Sequence, residues 1–167
     1  MASVYYTHSY STYRTQILSV QLQEASDYVC SIFVDMVALC STTQSDQLLI
    51  KDLKMPRDIS GYFYNVSLVK NTDPISLRML PAIQTIFDIR STSDDLFGLT
   101  EESQLTWTSV NILENTTDTA LNSLKTQLKT YNLYLHLEVG SNWSRNVAWV
   151  WKSGGKIMVG LASDQPT

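Results

Sequence analysis

His136 and Glu138 stand two residues apart in "YNLYLHLEV", Tyr131 to Val139, a stretch that alternates apolar and polar side chains. In an extended strand that spacing places both on one face, where a carboxylate can orient an imidazole. A general base would also need a nucleophile and a polar pocket, and the chain holds no G-x-S-x-G elbow to supply them. His136 therefore reads as an ordinary strand-face residue. The other histidine, His8, and the two cysteines, Cys30 and Cys40, lie at none of the spacings that metal ligation uses. Of the six glycines only Gly154 and Gly155 are adjacent, so there is no glycine-rich phosphate loop. No cofactor and no metal are expected, and the odds turn away from an enzyme.

The 167 residues fit one compact domain, with 44% hydrophobic and 17% charged side chains. A formal net charge of −4 argues against phosphate-driven binding to nucleic acid. Charge is uneven along the chain. Residues 1–23 hold one base, Arg14, and no acid, whereas 94–118 hold Asp94, Asp95, Glu101, Glu102, Glu114 and Asp118 with no base. Two small basic clusters, Lys51, Lys54 and Arg57, and Arg145, Lys152 and Lys156, are either solvated faces or contacts for a membrane or an acidic partner. Cys30 and Cys40 share one apolar run; if it is helical they cannot pair, and buried free thiols in a reducing compartment follow. The N-terminal residues do not read as a signal peptide, and no run approaches the roughly 18 apolar residues of a membrane span. The sequons at Asn65, Asn115 and Asn142 then read as chance matches.

The elements that must carry these residues follow from periodicity. Residues 1–14, with Tyr5, Tyr6, Tyr10 and Tyr13 in a Ser/Thr background, read as an arm before a globular domain of 15–167. Tyrosine offers large contact area at low entropic cost, so these four are candidates for self-association. In "TQILSVQLQ" Leu18, Val20 and Leu22 alternate as in a half-buried strand. Ser26 or Asp27 then caps a helix over about 27–40, where Val29, Ile32, Phe33, Met36, Val37 and Cys40 recur at steps of three and four. "DQLLIKDLKM" and "GYFYNVSLVK" read as strands, "LRMLPAIQTIFDI" as a helix from near Pro81, and "STSDDLFGLTEES" as an acidic loop. "QLTWTSVNIL" is a strand, "TTDTALNSLKTQL" a helix capped by Thr117 or Asp118, and "YNLYLHLEV" a strand.

"VAWVWK" and "KIMVGLA" flank Gly154-Gly155, a two-residue hairpin signal, since a type I′ turn needs positive φ at both central positions. Val147, Trp149, Trp151 and Met158 then share one face, with Val150, Ile157 and Val159 on the other. The "ALNSLKTQL" helix should cover one face, and the N-terminal half of the domain or a neighbour the other. Trp149 is assigned to the core, and Trp151, nearer the turn, to a contact with another copy. The fold class that results is α+β: one domain, an antiparallel sheet with two or three helices on one side.

The order of elements from residue 13 to 153 resembles the globular domain of rhabdovirus matrix proteins, nearest the short versions of plant cytorhabdoviruses. The segments that carry it are "YRTQILSVQLQEASDYVCSIFVDMVALCSTTQSDQLLIKDL" and "LTWTSVNILENTTDTALNSLKTQLKTYNLYLHLEVGSNWSRNVAWVWKS". The resemblance implies a non-enzymatic structural protein of the virion, beneath the envelope, membrane-associated in the host cytoplasm. It would self-associate into a homo-oligomeric lattice and bind the viral nucleoprotein and the membrane inner leaflet or a glycoprotein tail. It would condense the nucleocapsid during assembly and budding, with no sequence-specific nucleic-acid binding. Animal-virus members carry a lysine-rich N-terminus and a P-P-x-Y or P-[ST]-A-P motif; this chain has neither. The alternatives are another viral coat or accessory protein, or a small ligand-binding or enzymatic domain centred on His136.

Overall fold

A computed structural model describes residues 2–71, 82–89, 99–106 and 110–167, with side chains described for 13–68 and 110–167. The elements run α1 (Ala2–Thr42), β1 (Gln47–Asp52), β2 (Tyr64–Asn71), β3 (Ala82–Ile89), β4 (Leu99–Thr106) and β5 (Val110–Ile112). A 3-10 turn (Thr119–Leu121) leads into α2 (Asn122–Lys129), followed by β6 (Tyr134–His136), β7 (Glu138–Gly140), β8 (Asn146–Ser153) and β9 (Lys156–Ser163). One sheet has the order β1-β8-β9-β5, with β6 also paired to β9; the other has the order β4-β3-β2-β7. The class is α+β in a single domain, as the sequence implies.

The β8–β9 hairpin forms where the glycine pair places it, in the register Trp149 to Gly160 and Trp151 to Met158. Gly154 and Gly155 have φ of +58° and +77°, a region that glycine enters without a Cβ clash. Its two faces divide the core as their alternation requires. Val147, Trp149 and Ala162 pack with Leu121, Leu124 and Leu128 around α2, and Trp151 and Met158 lie at the margin of that cluster. Ala148, Val150, Ile157 and Val159 join the α1 side chains in the larger cluster on the opposite face. The helices thus sit on opposite faces of this sheet, not together on one side. One pair is parallel, β5 against Ile157–Val159 of β9, while β6 runs antiparallel against Leu161–Ser163 on the same edge.

Helix α1 is longer than its sequence suggests, and it replaces three expected features. No strand forms at 15–23, no cap forms at Ser26 or Asp27, and the residues expected as an irregular arm have helical backbone continuous through residue 14. The deciding residue is Val20. A strand would bury Leu18, Val20 and Leu22 together; instead Leu18 and Leu22 are fully buried while Val20 is 58% exposed. Four-residue spacing puts Leu18 and Leu22 on one side and Val20 nearly opposite. Leu18, Leu22, Ala25, Val29, Phe33, Met36 and Cys40 form one buried stripe along the helix. That helix lies against β3 and β4 of one sheet and β1, β8 and β9 of the other. Tyr13–Thr42 has the length and hydropathy of a membrane span, contrary to the sequence expectation, but half of its apolar 18-residue window is buried inside the protein. It is the central core helix.

Four further expectations change. Residues 82–89 form strand β3 rather than a helix, paired along its length with both β2 and β4. Ile83, Thr85, Ile86 and Ile89 supply the β-branched content that suits a strand; Pro81 lies outside the described residues. Leu99–Ser103, expected in the acidic loop, belong to β4, and residues 91–98 lie outside the described ones. "QLTWTSVNIL" is divided between β4 and β5, which belong to different sheets. "YNLYLHLEV" is likewise split: β6 and β7 join different sheets on either side of Leu137, which is 45% exposed. Asp118 caps the 3-10 turn that leads into α2, its carboxylate accepting from the Ala120 amide at 3.0 Å, whereas α2 itself begins after Leu121 with no side-chain cap. Cys30 and Cys40 are buried on one helix and form no disulfide.

Candidate functional site

The outward side of α1 carries apolar residues that no described element covers. Tyr13 is 64% exposed, Ile17 40% and Val20 58%. Their spacing of four and three residues sets them in one line, nearly opposite the buried stripe. Exposed Glu24 and Asp27 continue the line toward the C-terminus. Arg14 flanks it, with its guanidinium 5.2 Å from the centre of the Tyr62 ring and donating to the Tyr62 hydroxyl. In sequence the same spacing reaches back through Tyr10 to Tyr6, on helical backbone. The side chains of Tyr5, Tyr6 and Tyr10 lie outside the described ones. Tyr13 is therefore the one tyrosine of the four whose exposure is established, and Ile17 and Val20 are the residues that sequence reading missed. Their signal was present: positions 6, 10, 13, 17 and 20 keep a heptad spacing that the surrounding Ser and Thr obscure.

The two basic clusters are rearranged. Arg57 and Arg145, one from each, line a single cleft of about 670 Å³ between the segment after β1 and the loop joining β7 to β8. Asp52 forms one wall, and its carboxylate pairs with Arg145 Nε at 2.9 Å. Arg145 also donates to the Tyr131 carbonyl at 3.4 Å. Arg57 stacks near Phe63, 5.9 Å from the ring centre. At the cleft floor Asn146 donates to the Gly140 carbonyl at 2.8 Å, while its Oδ1 is buried without a hydrogen-bond partner. Lys51, Lys54 and Lys156 are exposed.

Lys152 does something else. Its ammonium donates to the Cys40 carbonyl at 3.3 Å and to the Thr43 carbonyl, closing the C-terminal end of α1. A cation there satisfies carbonyls that the helix leaves unpaired and sits at the negative end of its dipole. Lys152 is thus half-buried and engaged at the end of α1. The Asp46 carboxylate secures the neighbouring turn by accepting from the Gly154 amide at 3.1 Å.

Trp149 is fully buried, its indole Nε1 donating to the Leu161 carbonyl at 3.0 Å. Trp151 is half-buried beside Leu48 and Ile50 at the edge of the α2 cluster. His136 is half-buried: Nε2 lies 2.8 Å from the Gln165 carbonyl, and its ring is 4.9 Å from that of Trp143. That nitrogen serves as a donor to the backbone, and the imidazole is held as a packing element.

Comparisons of the chain with protein-family models, with curated proteins and with solved structures give no match.

Proposed function

We propose that this protein works by self-association, as a non-enzymatic layer-forming protein of the rhabdovirus-matrix kind that its order of elements resembles. In this reading copies assemble between nucleocapsid and envelope, and assembly, not catalysis, is the activity. The observation that carries it is the exposed line Tyr13, Ile17 and Val20 on a helix whose opposite side is anchored in the core. Large apolar side chains grouped on a rigid element mark contact surfaces, whereas singly scattered ones do not. The reading rests on this surface more than on element order, because the first expected strand is helical.

The basic residues supply the second contact. Lys51, Lys54 and Arg57 lie together in the chain, and Arg57 shares its cleft with Arg145. An acidic protein or an anionic leaflet is the partner such a surface fits, each base contributing about 1 kcal/mol near an anionic membrane. So few charges hold a single copy weakly, and an assembly multiplies them. Electron microscopy of the full chain on vesicles containing phosphatidylserine tests the reading. Ordered sheets or helical arrays are the expected outcome; discrete, unassembled particles at every concentration would count against it.

A further inference from the structure

We infer that the Tyr13–Val20 face of α1 is a self-complementary surface that pairs antiparallel with the same face of a second copy. The inference rests on the self-association reading and names its contact. Consider the line Tyr13, Ile17, Val20, Glu24, all exposed on one side of the helix, with Arg14 beside Tyr13. Its N-terminal end offers hydrogen-bond donors, the Tyr13 hydroxyl and those guanidinium N–H groups of Arg14 that do not bond Tyr62; its C-terminal end offers the Glu24 carboxylate. An antiparallel pair centred between Ile17 and Val20 sets each Ile17 against the partner's Val20. The same alignment brings Tyr13 and Arg14 of each copy over the Glu24 carboxylate of the other. A parallel pair would instead oppose Glu24 to Glu24 and Arg14 to Arg14, which like charge disfavours.

This is the geometry of a two-fold contact, in which one patch serves both subunits. Exposed charges of this kind set orientation more than strength. Three apolar side chains per copy also fall well short of the about 1,200 Å² that a stable interface buries. The pairing is therefore weak in isolation and gains its effect through repetition in an assembly. Such a contact also explains why a core helix leaves large apolar residues uncovered.

The test is the association constant of the full chain by sedimentation equilibrium, with melting curves as the control for folding. Ile17→Glu, and separately Val20→Glu, should melt as the parent does and weaken association at least about tenfold. Arg14→Glu and Glu24→Lys should each weaken it, and the double variant Arg14→Glu/Glu24→Lys should recover most of the loss. If Ile17→Glu and Val20→Glu associate as the parent does, this surface is not the contact and the self-association reading stands without it. If the double variant loses as much as the two single changes combined, the antiparallel arrangement is overturned. A parent chain that stays monomeric throughout removes the underlying reading and this inference with it.

Discussion

Trp149 and Gly160 face each other directly across the β8–β9 ladder, and the indole occupies the space that a side chain at 160 would need. A Cβ added at residue 160 would lie 2.7 Å from Trp149 Cε2. The absent side chain of one strand is therefore the binding slot for the largest side chain of the other. Trp149 belongs to the same buried cluster as Leu124 and Leu128 of α2, so this pair ties the hairpin into the core around the second helix.

Two substitutions follow from that relationship. Trp149→Ala should lower stability by roughly 3–5 kcal/mol, a large part of the ~5–15 kcal/mol typical of a domain. Gly160→Ala forces a buried, hydrogen-bonded ring to move and should cost about 1–3 kcal/mol. Trp151→Ala, at a half-buried site, should cost less than Trp149→Ala. Urea unfolding of the three variants checks the order, and a Trp149→Ala protein that unfolds with the parent would contradict the account.

The hairpin was legible in the sequence because two independent signals agree there: the glycine pair and the period-two alternation on both sides. Likewise, the 3-10 turn and α2 announced themselves through Asp118 and the leucines at 121, 124 and 128. The first half of α1 was not legible. Leu18, Val20 and Leu22 satisfy the strand period, and only the burial of Leu18 and Leu22 with Val20 outside separates the two readings. The same ambiguity hid the exposed line, since a helix had to be recognised before Tyr13, Ile17 and Val20 could share a side. The role of Lys152 depends on a carbonyl at the far end of the chain, and no local pattern encodes such a contact.

That role makes a separable prediction. Lys152→Met keeps much of the side-chain stem but removes the ammonium from the Thr43 carbonyl and leaves the Cys40 carbonyl with the Thr43 hydroxyl as donor. The variant should lose about 1 kcal/mol of stability. Its binding to anionic vesicles should be unchanged, because Lys152 is not part of the exposed basic surface. A Lys152→Met protein with full stability and impaired vesicle binding would reverse the assignment.

On the proposed function, binding to anionic vesicles should be salt-sensitive and dependent on assembly. A dilute monomer should barely bind phosphatidylserine vesicles, and assembled protein should bind and then release as salt screens the contact. Replacing Lys51, Lys54 and Arg57 together by Ala should abolish the bound fraction without altering assembly. Co-sedimentation measures this, and tight binding by the monomer that persists in high salt would rule it out.

Tyr64 gives a prediction for alkaline pH. Its hydroxyl donates to the Pro56 carbonyl at 2.5 Å. Burial first, and the Asp58 carboxylate second, push its pKa well above the ordinary phenol value of 10.0. The folded chain keeps this proton at pH values where the unfolded chain releases it. The stabilisation is complete below about pH 10 and declines as pH rises past it, by up to about 1.4 kcal/mol per unit. Tyr64→Phe should be weaker near neutral pH by about 1 kcal/mol, having lost a hydrogen bond, yet show a shallower alkaline decline. Unfolding free energies between about pH 8 and pH 11 decide it; parallel pH profiles for the two proteins would contradict the assignment.

The central claim is that the protein self-associates through its own surface, and the most direct measurement is the mass of the purified full chain in solution as a function of concentration. Sedimentation velocity over a wide concentration range should show mass rising continuously from the monomer, reversibly on dilution, with no small ligand required. A single monomeric boundary of unchanged mass up to the highest concentration would contradict it.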